Sequence, residues 1–274
     1  MLRGDGQSPG LEPGQGAAKA DRQSRITEHL LNVGDSSPQN LAKLFNVSLM
    51  TIHRDLDALE RRGVVRKFHG GVTVQPSGVF ESQLPFRMKA NTAAKKAIAA
   101  VALRFVHPGM SIMLDDSTSG LQMVQGLDQV GPLHIVTNFV RAIVGLAEHS
   151  VEAGLTIVGI GGMYDHSHDA FIGLHCLDQL TRMRADALFM STSAVCGVDA
   201  FHQEERIVAV KRAMMDASMK RYLLLDSSKF RRVALHNIAT LTEFDCVITD
   251  QGADEQTLQQ WRSAGVEYEI APPV

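Results

Sequence analysis

The stretch that decides the fold of the N-terminal region is residues 41–71, LAKLFNVSLMTIHRDLDALERRGVVRKFHGG. Its centre predicts a tight turn followed by an amphipathic helix, in which Ile52, Leu56 and Leu59 form one buried stripe. Ser48 is a suitable N-cap for this helix, because its side-chain oxygen can accept from a backbone amide of the first turn. The helix therefore presents its opposite face to solvent.

The flanking sequence completes a three-helix unit with a hairpin. Helical periodicity begins near Asp21, and a short helix over 39–45 follows the break VGDSSPQN, where Pro38 fits a first helical turn. The side chains that this short helix is expected to bury are Leu41, Leu44 and Phe45. Gly63 is placed to end the long helix, and VVRKFHGGVTV at 64–74 predicts two strands around a glycine turn. Three helices and a basic hairpin indicate a winged helix-turn-helix.

The charge of the chain is unevenly distributed. The net charge is −3, but residues 41–71 hold six Lys and Arg against three Asp and Glu. This difference, 6 − 3 = +3, leaves −6 on the remainder. A basic patch on an acidic body is typical of a protein that binds DNA with one end.

The exposed helix face and the hairpin carry the residues that we expect to contact DNA. Arg54 and Thr51 can reach base edges, since an arginine can form two hydrogen bonds to one guanine. The hairpin cations are placed to contact phosphates. The complete predicted DNA-binding set is Ser48, Met50, Thr51, His53, Arg54, Arg61, Arg66, Lys67 and His69. From the pattern alone, a small helical domain that binds another protein through a solvated basic face is the alternative.

These residues resemble a known family. NVS, TIHRDLDALE, GVV and HGG are similar, in order and spacing, to the signature of the DeoR family of bacterial sugar-metabolism regulators. His53 stands where that family usually has arginine. The resemblance implies that operator DNA is a partner and that the protein represses genes of carbohydrate metabolism.

The sequence divides into four segments. A disordered leader is predicted over 1–20, the winged helix-turn-helix over 21–75 and a linker over 76–91. Over 92–274 short apolar runs alternate with helical stretches, which predicts an α/β effector-sensing domain with a largely parallel sheet. The predicted strands are 111–114, 134–137, 155–159, 187–190, 222–225 and 246–249.

The resemblance continues into this second domain. FRMKANTAAKKAIAAVA, SIMLDDSTSG, VTN, VGIGG, FIG and LLLDSSKF are similar to the effector domain of the same family. That resemblance implies a fold like that of ribose-5-phosphate isomerase. It also implies an effector that is a sugar phosphate or a related sugar derivative.

The predicted effector site lies at the carboxyl edge of the sheet, where parallel sheets bind ligands. The polar loop after the first strand precedes a helix, whose first amides suit a phosphate. Two adjacent carboxylates in this loop suit sugar hydroxyls better than phosphate, and a helix cap without a ligand is the alternative. The predicted effector-binding set is Asp115, Asp116, Ser117, Thr118, Ser119, Gly120, Gly161, Gly162 and Lys229.

An isomerase fused to a DNA-binding domain is the rival function. Isomerisation needs a general base and an acid near the substrate. The strand that would supply them ends in Ser191, Thr192 and Ser193, and no carboxylate follows before Asp199. This pattern favours a binding module, with no catalytic residue and no cofactor. Two histidines in the loop 164–169 could bind a zinc-like ion, but an ordinary polar loop would look the same, and we predict no metal.

Three further features concern location and assembly. No uncharged apolar run reaches the roughly 18 residues of a membrane helix, and no secretory signal is evident, so we expect a cytoplasmic protein without a membrane partner. Cys176, Cys196 and Cys246 lie far apart, which predicts buried, reduced thiols. Two-fold operators imply a homo-oligomer, at least a dimer.

Overall fold

The computed structural model describes residues 19, 21–23, 25–27, 29–30, 33–61, 64–74, 84–148 and 152–273. The chain divides into two units, Met1–Pro76 and Ser77–Val274. The predicted leader, apart from Lys19, and the predicted helix-ending Gly63 lie outside the described residues.

The first unit has the predicted winged helix-turn-helix architecture. Residues 21–23, 25–27 and 29–30 are helical. The following elements are β1 (Asp35–Ser36), α1 (Pro38–Leu44), α2 (Leu49–Arg61), β2 (Val65–Phe68) and β3 (Gly71–Val74). Strand β3 pairs antiparallel with both β1 and β2, which gives a three-stranded sheet in the order β1-β3-β2. The long helix and the hairpin therefore occupy the predicted positions.

Side-chain caps mark the residues at which α1 and α2 begin. The Ser37 hydroxyl accepts from the amide of Asn40 at 3.1 Å, and Pro38 occupies the first turn of α1. The Ser48 hydroxyl accepts from the amide of Thr51 at 3.1 Å at the start of α2. Each cap satisfies an amide that the helix itself leaves unpaired.

The core of the first unit forms as predicted, with one exception. Its buried apolar residues are Ile26, Leu30, Leu41, Ile52, Leu56, Leu59, Val64, Val65 and Val72. The expected burial of Leu44 is wrong, because this side chain is 55% exposed. Leu44 is the last residue of a helix of two turns, and it lies at the rim of the core. Phe45 is partly buried and packs edge-on against His29, with ring centroids 6.4 Å apart.

The second unit is an α/β domain around one parallel sheet. Its helices are α3 (Leu84–Lys89), α4 (Thr92–Ala102), α5 (Val124–Leu127), α6 (Val140–Ala147), α7 (Leu174–Thr181), α8 (Glu205–Asp216) and α9 (Glu255–Ser263). Its strands are β4 (Ser111–Leu114), β5 (Leu133–Thr137), β6 (Leu155–Gly159), β7 (Met163–Asp165), β8 (Ala170–Ile172), β9 (Ala185–Met190), β10 (Ala194–Cys196), β11 (Asp199–His202), β12 (Ser218–Leu225), β13 (His236–Thr240), β14 (Cys246–Asp250) and β15 (Tyr268–Ala271).

The main sheet has seven parallel strands in the order β15-β14-β12-β9-β4-β5-β6. All six predicted strands are present in it, and β12 begins four residues earlier than predicted. The antiparallel sheet β10-β11-β13 and the hairpin β7-β8 were not predicted, since their strands are short and lack the continuous apolar runs of buried parallel strands. Because the seven main strands run in one direction, the loops after their carboxyl ends lie along one edge.

The predicted linker contains a helix. Helix α3 occupies its C-terminal end, and Leu84 of α3 packs with Phe139, Ala142 and Ala170 of the second unit. The end of this stretch is therefore part of the second unit rather than a connector. No helix among the described residues is long and apolar enough to cross a membrane.

Candidate functional site

The outer face of α2 presents a polar surface. Met50 is 65% exposed, and His53, Arg54 and Arg61 are exposed, whereas Ile52 on the opposite face is fully buried. The hydroxyls of Ser48 and Thr51 lie 2.9 Å apart at the N-terminal end of this face. The helix can therefore present side chains to base edges while its inner face packs on the core.

A buried carboxylate fixes the back of α2. Asp55 is 1% exposed and accepts from Arg22 Nε at 2.6 Å and from Gln23 Nε2 at 2.9 Å. This pair of bonds ties the N-terminal helical segment to α2. The sequence shows Asp55 as one of the three acidic residues of 41–71, and its position next to Leu56 in the apolar stripe is the signal that it is buried.

The hairpin is held on α2 by Lys67. Its ammonium group pairs with Asp57 Oδ1 and with Glu60 Oε2, the second at 3.2 Å, and its amide donates to Glu60 Oε1 at 3.1 Å. These hydrogen bonds raise the pKa of Lys67 and lower the pKa of both carboxyls. Lys67 was predicted to contact phosphate, but its charge is already compensated. Arg66 and His69 are the exposed basic residues of the hairpin.

At the carboxyl edge of the main sheet, Asp115 connects three segments of the chain through hydrogen bonds. Its Oδ1 accepts from the Ser117 amide at 3.1 Å, and its Oδ2 accepts from the Ser191 amide at 2.9 Å and from the Lys211 ammonium. The carboxylate is 1% exposed. Asp115 was expected to accept from an effector hydroxyl, but here it joins the ends of β4 and β9 to α8.

Lys211 compensates both aspartates of the loop. Its buried ammonium also donates to Asp116 Oδ1 at 3.2 Å. Burial alone would lower the pKa of Lys211, but the two carboxylates raise it above its ordinary value. Burial would likewise raise the pKa of Asp116, but Lys211 and His168 hold it below its ordinary value. Lys211 was not in the predicted set, because it lies 96 residues beyond Asp115 and no local pattern connects the two.

The histidine-containing loop also reaches this edge. His168 is 1% exposed, with Nδ1 3.4 Å from Asp116 Oδ2 and Nε2 2.9 Å from Glu204 Oε1. The His202 ring lies 5.9 Å from the His168 ring, centroid to centroid. In the part of the chain that the structure describes, no three His, Cys, Asp or Glu side chains are arranged to hold a metal ion.

The helix predicted after the loop is much shorter than expected. Gly120–Met123 form one 3-10 turn and α5 adds only four residues. The dipole of so short a helix attracts a phosphate only weakly. The Ser117 hydroxyl caps this turn by accepting from the Gly120 amide at 3.0 Å. A Cβ on Gly120 would lie 3.0 Å from that same oxygen, so packing inside the loop explains the glycine.

Two buried polar atoms that follow neighbouring strands of this edge have no hydrogen-bond partner among the described residues. They are Ser119 Oγ, after β4, and Asn138 Oδ1, after the neighbouring strand β5. The amide nitrogen of Asn138 donates to the Phe171 carbonyl at 3.0 Å. An unsatisfied buried polar atom costs about 1–3 kcal/mol, so these two atoms indicate where a ligand would complete the hydrogen bonding. Ser119 was in the predicted set, whereas Asn138 was missed although the VTN motif contains it.

Lys229 joins the same network from the far side of β9. Its ammonium donates to Ser191 Oγ at 2.8 Å and lies 3.7 Å from Asp226 Oδ2. Ser191 in turn donates to the Leu224 carbonyl at 2.6 Å. The structure therefore brings Lys229 together with the loop 115–120.

Gly161 and Gly162 of the predicted effector-binding set follow a different strand from the loop after β4. Gly161 follows the edge strand β6, which β5 separates from β4, and it exchanges hydrogen bonds with the Gln179 side chain at 3.4 and 3.1 Å. A Cβ on Gly162 would lie 2.6 Å from the Ile172 carbonyl oxygen. Close backbone packing explains Gly162, and the hydrogen bonds of Gly161 go to Gln179 rather than to the loop after β4.

Two family models match the chain. The model of the DeoR-like helix-turn-helix domain matches residues 22–77, and that of the DeoR C terminal sensor domain matches residues 90–251. These ranges contain α2 with the hairpin and most of the carboxyl edge. They define the class of the protein, a DNA-binding transcriptional regulator with a sensor domain.

Curated relatives extend along most of the chain. It is 33% identical over 239 residues to the uncharacterized HTH-type transcriptional regulator YgbI of Escherichia coli K12, covering 86% of this chain and 91% of that protein. It is 27% identical to the putative aga operon transcriptional repressor of E. coli O157:H7, covering 90% and 92%. It is 29% identical to the L-fucose operon activator of Haemophilus influenzae, covering 84% and 91%.

The chain belongs to the DeoR family of transcriptional regulators. Its relatives are regulators, so it is a regulator and not an enzyme. The sequence alone could not decide this question, because Glu204 and Lys211 reach the carboxyl edge from distant segments. The relatives, rather than missing acidic groups, decide the question.

Solved structures of ribose 5-phosphate isomerases also match part of the chain. The enzyme from Neisseria gonorrhoeae matches with a TM-score of 0.36 and 14% identity, covering 50% of this chain and 53% of that one. A match of this strength carries no conclusion about ligand or chemistry.

Proposed function

We propose that this regulator binds operator DNA as a homo-oligomer through α2 and the hairpin, and represses genes of carbohydrate metabolism. A small sugar derivative bound at the carboxyl edge of the second unit relieves the repression. The proposal places the protein in the cytoplasm, without a membrane partner.

The DNA-binding part of the proposal is supported by the open face of α2. Arg54 is exposed and has no hydrogen bond or ion pair within the described residues, so its guanidinium can form two hydrogen bonds to a guanine. Met50 and His53 flank it on the same exposed surface. Two-fold operators need two such helices, which supports at least a dimer.

The names of the relatives support a role in carbohydrate metabolism. One is called a putative aga operon repressor and another an L-fucose operon activator, so the sign of regulation differs within the set. We propose repression that is relieved when a ligand binds. Such relief requires a ligand with unequal affinity for two states of the protein.

The observation that carries the effector site is the pair of unpartnered buried oxygens, Ser119 Oγ and Asn138 Oδ1. A sugar hydroxyl both donates and accepts, so it can satisfy either atom. Water alone would satisfy them equally well, which makes an experiment with real ligands necessary.

The experiment uses the full-length protein and an operator that it selects from random duplex DNA. Free sugars, sugar acids and sugar phosphates are screened by thermal shift, and each compound that stabilises the protein is tested for release of labelled operator. The expected result is a stabilising compound that also releases DNA. If no compound of the panel does both, the proposal is wrong.

The Ser119→Ala substitution tests whether the effector binds beside Ser119. Because Ser119 Oγ has no hydrogen-bond partner among the described residues, its removal should leave the melting temperature unchanged or raise it, while about 5- to 10-fold more effector is needed for release. Ser191→Ala is the matched control, since it removes the hydrogen bonds to Leu224 and Lys229 and should lower the melting temperature. Release by Ser119→Ala at the wild-type effector concentration would rule out this position.

A further inference from the structure

Asn91 lies at the corner between α3 and α4, and its side chain is not used as a helix cap. It is the N-cap residue of α4, a position where asparagine ordinarily accepts from an amide of the first turn. Its side chain makes no such bond to any described residue of α4, and its backbone is left-handed, with a φ of 53°. Asparagine tolerates this conformation better than most residues. The missing cap indicates that the side chain serves a contact outside α4.

That contact is with a segment far along the chain, residues 226–229 after β12. The Asn91 amide nitrogen donates to Asp226 Oδ1 at 2.9 Å and to Ser228 Oγ at 2.8 Å. Burial would raise the pKa of Asp226, but the Lys229 ammonium and two hydrogen bonds hold it below its ordinary value. The acceptor is therefore an ionised carboxylate that is 2% exposed, and hydrogen bonds to such an acceptor are stronger than those between neutral groups.

The segment 226–229 is part of the carboxyl edge at which we place the effector. Strand β12 lies beside β9 in the main sheet, and the Lys229 ammonium donates to Ser191 Oγ at 2.8 Å. The Ser191 amide in turn donates to Asp115 Oδ2 at 2.9 Å. A ligand that displaces this segment would therefore pull on Asn91 through direct hydrogen bonds.

Helix α3 is held to the corner and touches the same edge at a second place. The buried ammonium of Lys95, in α4, donates to the Arg87 carbonyl of α3, which ties the two helices together. Leu84 of α3 packs on Phe139, the residue that follows Asn138 after β5. A shift of the corner is therefore a shift of α3 against the effector edge.

The place of α3 in the chain gives such a shift a consequence for DNA binding. It is the first element of the second unit that the structure describes, so the chain that leaves the hairpin of the first unit enters the second unit through α3. Two sites are coupled only through an element whose arrangement both ligands bias. The backbone joins α3 to the DNA-binding unit, and Asn91 joins it to the effector edge.

We propose that Asn91 couples the effector site to DNA binding, because its two bonds to 226–228 carry displacements of that segment to α3. Asn91 is then a positioning residue that contacts neither the effector nor DNA. The coupling role rests on the proposed function and specifies how the same site regulates operator binding. Loss of the Asn91 side chain should separate the two binding events without abolishing either one.

The test compares Asn91→Gly with Thr92→Ala in the full-length protein. Glycine adopts a left-handed conformation freely, so Asn91→Gly removes the two tertiary bonds and keeps the corner. Thr92→Ala is the matched control, because it removes a bond from the Thr92 hydroxyl to the Lys89 carbonyl at 3.0 Å that does not reach the effector edge. Ser228→Ala removes one acceptor from the opposite side and is the second variant, used also if Asn91→Gly does not fold.

The first measurement is operator affinity by fluorescence anisotropy, without ligand and with each free sugar, sugar acid and sugar phosphate of the panel. The compound that releases wild type should weaken its operator binding by about 5- to 150-fold, the usual range of allosteric coupling. The same compound should weaken operator binding by Asn91→Gly less than about threefold, although calorimetry shows that it still binds this variant. Without ligand, Asn91→Gly should bind operator within about threefold of wild type. Thr92→Ala should respond like wild type, and Ser228→Ala should lie between.

The second measurement uses operator duplex as the probe and needs no effector. Coupling is reciprocal, so operator binding should also act on the effector edge. Hydrogen exchange read by mass spectrometry compares free and operator-bound protein in peptides that cover α3 and 226–229. In wild type and Thr92→Ala, operator should change exchange in both peptides. In Asn91→Gly it should change exchange in α3 and leave 226–229 as in the free protein.

Several results would overturn the coupling role of Asn91 while leaving the proposed function intact. One is full release of operator from Asn91→Gly, and another is an operator-induced exchange change at 226–229 that persists in this variant. Loss of compound binding by Asn91→Gly would place Asn91 in the binding site instead. Operator binding that is more than about tenfold weaker without ligand would show that the two bonds only support the DNA-binding arrangement. If no compound releases wild type, the proposed function is wrong, and the exchange measurement still decides the role of Asn91.

Discussion

The two units use their charged residues in opposite ways. On α2 and the hairpin, Arg54, Arg61 and Arg66 are exposed. At the carboxyl edge of the second unit, Asp115, Asp116 and Lys211 are almost completely buried and compensate one another. The first arrangement leaves charge available for a large anionic partner, whereas the second uses charge to fix strand ends around a small site.

The difference shows how charge should be interpreted in each place. An exposed cation interacts weakly with its own surface, because water screens it, and it keeps its charge for a partner. A buried charge needs an internal counter-charge, so its first role is to hold the fold. Functional groups at a buried site are then the polar atoms that remain without a partner, here Ser119 Oγ and Asn138 Oδ1.

The largest expected effect comes from removing the buried counter-charge. Lys211→Met leaves two adjacent buried carboxylates uncompensated and should destabilise the second unit by about 3–5 kcal/mol in urea unfolding. Lys96→Met is the matched control, because Lys96 is exposed and its substitution should change stability by less than about 0.5 kcal/mol. A loss below about 1 kcal/mol for Lys211→Met would contradict the structural role of this cluster.

The same variant should reverse the pH dependence. In wild type the pKa of Asp116 is lowered and that of Lys211 is raised, so their stabilisation is present at neutral pH. It is lost only as the pH falls through the lowered pKa of Asp116 or rises through the raised pKa of Lys211. Without Lys211, burial should raise the pKa of the carboxyls, and Lys211→Met should be more stable at pH ~5 than at pH ~8. Greater stability at the higher pH would show that the carboxylates are not buried as the structure has them.

A smaller effect distinguishes two adjacent cations of the hairpin. Arg66→Gln should lower the slope of log affinity against log salt concentration by about 0.9, because one phosphate contact is lost. Lys67→Gln should change the slope by less than half of that, since Asp57 and Glu60 already compensate Lys67. Binding isotherms on random duplex DNA at several salt concentrations measure both values. A larger slope change for Lys67→Gln than for Arg66→Gln would assign the phosphate contact to Lys67, as the sequence alone predicted.

The smallest effect concerns the three thiols and tests which of them are buried in the native protein. Burial raises the pKa of Cys176 and of Cys246 to about 11. The predicted burial of Cys196 is wrong, because this residue is exposed in the hairpin of β10 and β11. Alkylation of the native protein at pH ~7.5 should therefore modify Cys196 first and the other two only after unfolding. Mass spectrometry of digested protein reads the modified site. Rapid labelling of Cys176 would show that the cluster around it opens in the native state.

Local patterns predicted most of the fold. The stripe of Ile52, Leu56 and Leu59 and the cap at Ser48 predicted α2, because both depend on residues within a few turns. Continuous apolar runs predicted six strands of the main sheet for the same reason. The short strands β7, β8, β10, β11 and β13 lack such runs, and their pairing depends on tertiary contacts that no local pattern contains.

The candidate sites were only partly predictable. The exposed residues of α2 follow from the helical period, but the partner of Lys67 depends on how the hairpin folds back. At the carboxyl edge, the loop after β4 was predicted from the topology of parallel sheets. Lys211 and His168 were missed, because their positions near that loop arise from long-range contacts. A sequence shows which residues carry charge, but only the fold shows which charges are already compensated.

The central claim is that the open face of α2 binds the operator while the carboxyl edge of the second unit binds the effector. The most direct test is a fluorescence anisotropy titration of labelled operator and of random duplex with Arg54→Ala, with Arg182→Ala as a control at the exposed residue that follows α7. We predict that Arg54→Ala loses about 5- to 150-fold in operator affinity, binds random duplex with little change, and keeps the thermal shift caused by effector. Wild-type operator affinity and selectivity in Arg54→Ala would contradict the account.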